Sequence, residues 1–146
     1  MPFAFTFGPG GSLVVTEALD SHVSTYTVNA DGTLTALSSL ADGQAALCWI
    51  TPTSGFDYVA NAGSNNLSAY KVGEGGSLSL VGSTGVVAST DTGPIDMAAS
   101  PDGRYLYAQA GGAGAVDEFA VSPGGGLSPI GSVTGLGSGI EGIAAD

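Results

Sequence analysis

Six polar residues in this chain are candidates for ligand binding or catalysis, and they fall near the ends of predicted β-strands. Carboxylates that share a cleft perturb each other's pKa, so the acidic members are candidates for acid–base chemistry or binding. Side-chain amides bind ligands but seldom transfer protons. A polar side chain at a strand end can also simply cap backbone groups or face water. The six candidates are Glu17, His22, Asn61, Asp96, Gln109 and Glu141.

His22 and Cys48 are the only residues of their types in the chain. The imidazole of His22 could act as a general base or bind a ligand, although a lone loop histidine is usually solvated surface. Cys48 lies in the apolar run Leu47–Ile50, with no cation nearby in sequence to stabilise a thiolate. We therefore expect Cys48 to be buried and unreactive.

The familiar motifs of metal and nucleophile sites are missing from the sequence. There is no EF-hand spacing and no pair of histidines at metal-binding spacing. There is also no G-x-S-x-G motif of the kind that serine hydrolases use. The sequence therefore predicts no metal site and no cofactor, although a carboxylate-lined rim leaves weak Ca²⁺ binding open.

The composition restricts the possible binding partners more than it restricts the possible chemistry. The 146 residues fit one domain, and 43% of them are apolar, which excludes a disordered chain. Lys and Arg together number 2 against 13 Asp and Glu, giving a net charge of −11. Two cations cannot neutralise several phosphates, so nucleic acid and anionic membrane surfaces are excluded as partners. No apolar run approaches the length of a membrane span.

An internal repeat organises the chain. An aromatic residue recurs at Tyr26, Tyr70 and Phe119, at intervals of 44 and 49 residues. Eight residues after each aromatic comes a leucine, and the five residues before that leucine are rich in turn formers, as a hairpin loop requires. Units of 40–50 residues with four short strands are typical of β-propeller blades.

We name the four strands of each predicted blade A to D, from the channel outwards. The prediction is an all-β, single partial propeller over residues 1–146, since a β-sandwich would not explain equal internal spacings. Strands D, at Leu78–Thr84 and Leu127–Val133, should bend at Gly82 and Gly131. The predicted blades cover residues 3–40, 46–85 and 95–134, and an extra inner strand follows at 140–145.

The blade pattern also predicts where the candidate residues meet. In a propeller, strand A starts and strand B ends at the same face of the ring, around the central channel. Leu47, Asp96 and Glu141 begin strands A, and Glu17, Asn61 and Gln109 end strands B in the repeat alignment. Together with His22 in the first B-to-C loop, the polar members should converge on one rim of the channel.

One corner of the chain resembles a known family. Ser100–Tyr107 reads SPDGRYLY, which is similar to the corner of the lactonase-type seven-bladed β-propellers, a family that includes 6-phosphogluconolactonases. Gly43–Trp49, Asn61–Ser64 and Gly93–Asp96 also resemble segments of that family. The resemblance covers nearly the whole chain. It implies that the chain corresponds to the C-terminal three blades of such a propeller. It also implies a secreted or cell-surface protein. The chain's first residues carry no signal peptide, so the sequence does not assign a cellular compartment.

Three functional hypotheses follow. The chain could be a lactone hydrolase or cycloisomerase that acts on a sugar-acid lactone at the acidic rim. A small carbohydrate-like molecule is the ligand that such a rim would bind. The chain could instead be a non-catalytic propeller module, or a fragment of a longer propeller. Three blades leave two apolar faces open, and two chains make six blades with the commonest symmetry. We therefore expect a homodimer that forms a closed six-bladed ring.

Overall fold

The computed structural model describes all 146 residues and contains thirteen β-strands in three antiparallel sheets. There is no α-helix, and two short 3-10 turns lie at Pro9–Gly11 and Glu74–Gly76. The predicted all-β fold is confirmed. The strands are β1 Pro2–Phe7, β2 Leu13–Glu17, β3 His22–Val28, β4 Leu34–Leu40, β5 Leu47–Thr53, β6 Phe56–Asn61, β7 Asn66–Val72, β8 Leu78–Leu80, β9 Val86–Ser89, β10 Pro94–Ala99, β11 Tyr105–Ala110, β12 Ala115–Val121 and β13 Leu127–Val133.

Each sheet is one propeller blade, with its strands hydrogen-bonded in chain order. Blade 1 is β1–β4, blade 2 is β5–β8 with β9 also paired to β7, and blade 3 is β10–β13. Side chains along each strand alternate between the two faces of the sheet, so every blade offers one face to each neighbour. The chain is therefore a partial β-propeller of three blades.

The outer strands are irregular at the two predicted glycines. In blade 2, β8 ends at Leu80, the chain turns with Gly82 at φ 67°, and β9 then resumes pairing with β7. Leu78–Thr84 is therefore interrupted rather than one strand, because the turn after β8 breaks its ladder. In blade 3 the register between β12 and β13 shifts next to Gly131, which leaves Ile130 as the extra residue of a bulge.

Two apolar cores hold the three blades together. The core between blades 1 and 2 includes Val14, Val59 and Tyr70, and the core between blades 2 and 3 includes Tyr58 and Phe119. Tyr70 and Phe119 are fully buried or nearly so, as expected for the repeated aromatic. Removing such side chains from water is the main stabilising term of the blade interfaces.

Hydroxyl groups add directed contacts across the same interfaces. The Oγ1 of Thr16 in blade 1 donates to the backbone carbonyl of Cys48 in blade 2. The Oγ1 of Thr51, in strand A of blade 2, likewise reaches the next blade and donates to the carbonyl of Met97 at 3.0 Å. Cys48 itself is buried, as expected. Each donor thus adds a hydrogen bond between neighbouring blades.

The outer face of blade 1 remains uncovered in the single chain. It is the face that carries Tyr26, the counterpart of the buried Tyr70. Phe5 is 66% exposed and Phe7 is 58% exposed, and their rings meet edge to face at 6.2 Å. A cavity of about 400 Å³ lies on this face, and its walls are mainly apolar.

The predicted extra strand at 140–145 is wrong. These residues form no β-strand in the structure. A strand requires a neighbour that completes its hydrogen-bond ladder, and residues 140–145 have no such partner in the chain. The segment instead runs across the end of blade 3, where the amide of Gly139 donates to the carbonyl of Gly111 at 2.8 Å.

Candidate functional site

The candidate residues are positioned by one edge of the three blades, which we call the channel rim. At this edge the start of each strand A pairs with the end of strand B. Pro2 lies opposite Glu17, Leu47 opposite Asn61, and Pro94 opposite Ala110. The first residue of each strand A therefore lies beside the last residue of strand B in the same blade, as the repeat predicts.

The strand register corrects one equivalence drawn from the repeat. Pairing to strand C makes Ala110, and not Gln109, the counterpart of Glu17 and Asn61. Gln109 is instead the counterpart of Thr16 and Ala60. A shift of one residue moves a side chain to the opposite face of a sheet. Gln109 therefore lies on the face of blade 3 that is turned away from blade 2. Its side chain is buried there, and its Oε1 accepts no hydrogen bond.

Asp96 and Glu141 are the two candidates that the structure brings together. Both line a small cavity of about 80 Å³ at the centre of the blades, together with Phe3, Trp49 and Ile95. Strands A of all three blades contribute to this cavity, which is therefore the start of the central channel. A second cavity of about 290 Å³ adjoins it, since Ile95 and Glu141 line both.

The carboxylate of Asp96 is already engaged within the chain. Asp96 is only 7% exposed, and its Oδ1 accepts a hydrogen bond from the amide of Met97 at 2.7 Å. Its Oδ2 accepts from the amide of Ile143 at 3.2 Å. Glu141, in contrast, is exposed. Of the two acids, Glu141 is the one that solvent or a ligand reaches freely.

Asn61 belongs to a buried polar network and not to an open binding surface. It is fully buried, and its Nδ2 lies 2.7 Å from Oδ1 of Asn66 and 2.8 Å from Oγ of Ser68. Asn66 donates in turn to Oε1 of Gln44 at 2.7 Å, and Asp42 Oδ2 lies 3.4 Å from the same Nδ2. The repeat alone did not point to Asp42, Gln44 and Asn66, because each stands in a connecting loop or at its edge.

Glu17 and His22 lie on blade 1, away from the two channel cavities. They are paired across β2 and β3, and both are half-buried. Oε1 of Glu17 accepts a hydrogen bond from the hydroxyl of Tyr26 at 3.4 Å, so the pair belongs to the open face of blade 1. Neither residue lines a cavity with Asp96 or Glu141.

No cation lines either channel cavity. Arg104 lies at the opposite end of blade 3, where it contacts Asp102 at 3.8 Å and stacks over the ring of Tyr105. The cavities are therefore acidic, and an anionic ligand would meet no compensating charge there. No group of three or more His, Cys, Asp or Glu side chains is arranged to hold a metal ion.

Burial raises the pKa of two carboxyl groups outside the predicted set. The pKa of Asp117 is raised mainly by desolvation, although its Oδ2 accepts a hydrogen bond from the amide of Asp91 at 2.8 Å. Burial raises the pKa of Asp57 to about 6. Both acids face blade interfaces, so the strongest electrostatic perturbations of the molecule lie between blades and not at the channel rim.

No helix in the structure is long and apolar enough to cross a lipid bilayer.

Comparison with known proteins gives one family match. The model of the lactonase family, described as a seven-bladed β-propeller, matches residues 4–138. No curated protein matches the chain significantly.

Solved structures with the same fold are numerous. The periplasmic gluconolactonase PpgL of Pseudomonas aeruginosa superposes with a TM-score of 0.79 at 23% identity, over 94% of this chain and 40% of its own. A candidate 6-phosphogluconolactonase from Bacteroides uniformis gives 0.78 at 23% identity, over 92% and 42%. A protein of unknown function from Desulfotomaculum acetoxidans gives 0.79 at 21% identity, also over 92% and 42%. The chain thus spans about two-fifths of the length of these structures, and at such identities they establish the fold alone.

Proposed function

This chain belongs to the lactonase family of seven-bladed β-propellers, and from that premise we propose that it is a non-catalytic three-blade module whose ring is completed by a second copy. The observation that carries the proposal is the open face of blade 1. Phe3, Phe5 and Phe7 are 43%, 66% and 58% exposed there. A soluble protein rarely leaves so continuous an apolar surface uncovered unless it is an interface.

The two open faces of the chain correspond to the two sides of an interface between neighbouring blades. Tyr70 and Val59 of blade 2 pack against Val14 of blade 1. On the open face of blade 1, the counterparts of Tyr70 and Val59 are Tyr26 and Val15. On the open face of blade 3, the counterpart of Val14 is Tyr107. Blade 1 of one copy against blade 3 of another would therefore reproduce the contact that already joins blades 1 and 2.

The number of blades favours two copies. Propellers close with about 4–8 blades, so two chains make a ring within that range and three chains make one outside it. Two-fold symmetry is also the commonest symmetry of homo-oligomers. In such a ring, residues 140–145 would reach the second copy's β1, where they either pair with its β2 or displace Phe3–Phe7. The acidic rim residues would then appear twice around one channel.

Light scattering coupled to size-exclusion chromatography tests this assembly. At micromolar concentration the expected mass is twice the 14.1 kDa of one chain. The double variant Phe5→Ser/Phe7→Ser should shift the mass to that of a monomer, whereas Leu19→Ser should not, because Leu19 is exposed in the loop after β2. A monodisperse monomer for the unmodified chain overturns the proposal, and a three-chain mass overturns the six-bladed ring.

Lactone hydrolysis at the channel rim is the second candidate function. It is favoured by the shared cavity of Asp96 and Glu141, and by the gluconolactonase among the structures of the same fold. The lack of a cation at the cavity disfavours it, since nothing there would stabilise an oxyanion or a phosphorylated sugar acid.

A pH-stat assay with gluconolactone and 6-phosphogluconolactone separates the two candidates. The non-catalytic proposal expects acid release at the uncatalysed rate. Release above that rate, lost in Asp96→Asn/Glu141→Gln and kept in Glu74→Gln, would establish the hydrolase instead. Glu74 is a suitable control because it is exposed in a 3-10 turn far from the rim.

A further inference from the structure

A cavity of about 300 Å³ opens between blades 1 and 2, at the end of the propeller opposite the channel rim. Phe7 and Thr53 line it, and they are the last residues of β1 and β5, whose first residues lie at the rim. Apolar and polar groups share the lining. The apolar members include Pro9, Pro52 and Val72, and the polar members are Thr53, Ser54 and Asp57.

Asp57 points into this gap between the blades. Side chains two residues apart in a strand share a face, and Val59 of the same strand packs in the core between blades 1 and 2. Val72, which also lines the cavity, lies in that core too. The carboxyl group of Asp57 therefore faces blade 1 and the cavity.

The carboxyl group of Asp57 is buried and unpartnered. Asp57 is 5% exposed, and its side chain makes no hydrogen bond or ion pair within the chain. Burial alone raises its pKa to about 6. A buried carboxylate without a partner is unfavourable, so the ionised form of Asp57 costs the fold stability, and either a proton or a cation in the cavity would relieve that cost.

The repeat shows that an acid is the exception at this position. Pairing with the repeated aromatic makes Leu13 and Leu106 the counterparts of Asp57 in the other blades. Leu106 is fully buried in the core between blades 2 and 3, and no cavity opens beside it. A leucine at position 57 would match the other two blades. The sequence instead places a charge-bearing group beside a cavity.

The geometry points to a binding site for a small organic ammonium ion, with the Asp57 carboxylate pairing with the ammonium group and the alkyl part lying against Val72 and the prolines. A volume of about 300 Å³ lies at the small end of ligand sites, which suits a short amine. The apolar part of the lining favours an organic cation over a hydrated metal ion. The net charge of −11 also concentrates cations near the surface.

The chain supplies no cation of its own to this cavity. Arg104 contacts Asp102 in blade 3. Lys71 is exposed and adjacent in sequence to Val72, so its side chain lies on the other face of β7. The site is therefore open to an external cation.

An NMR titration with butylammonium tests the site, with 1-butanol as the neutral isostere. We expect saturable shifts centred on the amides of Ser54, Asp57 and Val72, and at least tenfold weaker binding of butylammonium by Asp57→Asn. 1-Butanol should produce no saturable shifts. Asp57→Leu, which carries the residue of the other blades, should fold and bind no butylammonium.

Absence of saturable shifts with butylammonium overturns the proposal. So does equal binding by the unmodified chain and Asp57→Leu, because binding would then not need the carboxylate. Equal shifts with 1-butanol would likewise overturn it, since they would show an apolar cleft without preference for a cation. Folding of both variants is verified by the dispersion of the same spectra.

Discussion

Oδ2 of Asp96 accepts a hydrogen bond from the amide of Ile143, 47 residues further along the chain. The contact ties the last residues to the innermost strand of blade 3, over the start of the central channel. It also explains why residues 140–145 keep a defined path without strand pairing. A carboxylate expected at an open rim thus anchors a segment of its own chain.

Loss of this anchor should free the final segment. We expect Asp96→Ala to speed hydrogen exchange of the Ile143 amide by at least about tenfold, because a hydrogen bond to a charged acceptor contributes roughly 1.5–3 kcal/mol. Glu74→Ala removes one negative charge elsewhere and should leave that exchange rate unchanged. Unaltered exchange in Asp96→Ala would show that the segment is held by other contacts.

Thr16 should matter more for stability than its size suggests. Its Oγ1 donates to the carbonyl of Cys48 and accepts from the amide of Ala4, joining strands A of blades 1 and 2 through strand B. We expect Thr16→Val to lower the free energy of unfolding by about 1–3 kcal/mol, because buried polar groups lose their partners.

Urea denaturation measures this effect against a matched control. Thr27 is exposed on β3 and makes no side-chain hydrogen bond, so Thr27→Val should change the free energy of unfolding by less than about 0.5 kcal/mol. An equal loss in both variants would mean that the cost arises from the threonine-to-valine change itself and not from the contacts between blades.

Asp57 should make stability depend on pH in a particular direction. Its pKa is about 6 in the folded chain and near 3.8 when unfolded, so between these values the folded state holds a proton that the unfolded state lacks. The contribution of Asp57 to stability is therefore largest at low pH and is lost as the pH rises through about 6.

The variant Asp57→Leu isolates this contribution. It should be more stable than the unmodified chain at pH 8, and the difference in free energy of unfolding should shrink by about 1 kcal/mol at pH 5. Urea denaturation at both pH values, without added amines, measures the difference. A difference that is the same at pH 5 and pH 8 would contradict the burial-raised pKa.

The fold was predictable from the sequence because it depends on repeated features. Tyr26, Tyr70 and Phe119 mark one position of strand C in every blade, and turn residues follow each at a fixed distance. Such periodicity reports strand order and faces without knowledge of individual contacts. The resemblance at Ser100–Tyr107 adds the family but contains no residue of the channel cavities.

The site was less predictable because it depends on single-residue register and on contacts distant in sequence. Leu106 and Tyr107 are both apolar, so the alignment could slip by one residue and put Gln109 in place of Ala110 at the rim. The bond from Ile143 to Asp96 spans 47 residues and follows no motif. Asp57 carries no signal in the sequence alone, because only the register shows that its counterparts are leucines.

A cross-link between copies tests the completed ring most directly. In the background Cys48→Ser, one preparation carries Val15→Cys and another carries Tyr107→Cys. These positions lie on the open faces of blades 1 and 3, and their counterparts Val59 and Val14 pack together between blades 2 and 1. After mixing and exchange, a short bismaleimide should join the two variants as cross-linked dimers. Neither variant should cross-link to itself, because each interface of the ring needs one face of each kind. Dimers formed equally by Val15→Cys alone would contradict the ring, since they would mean that blade 1 packs against blade 1.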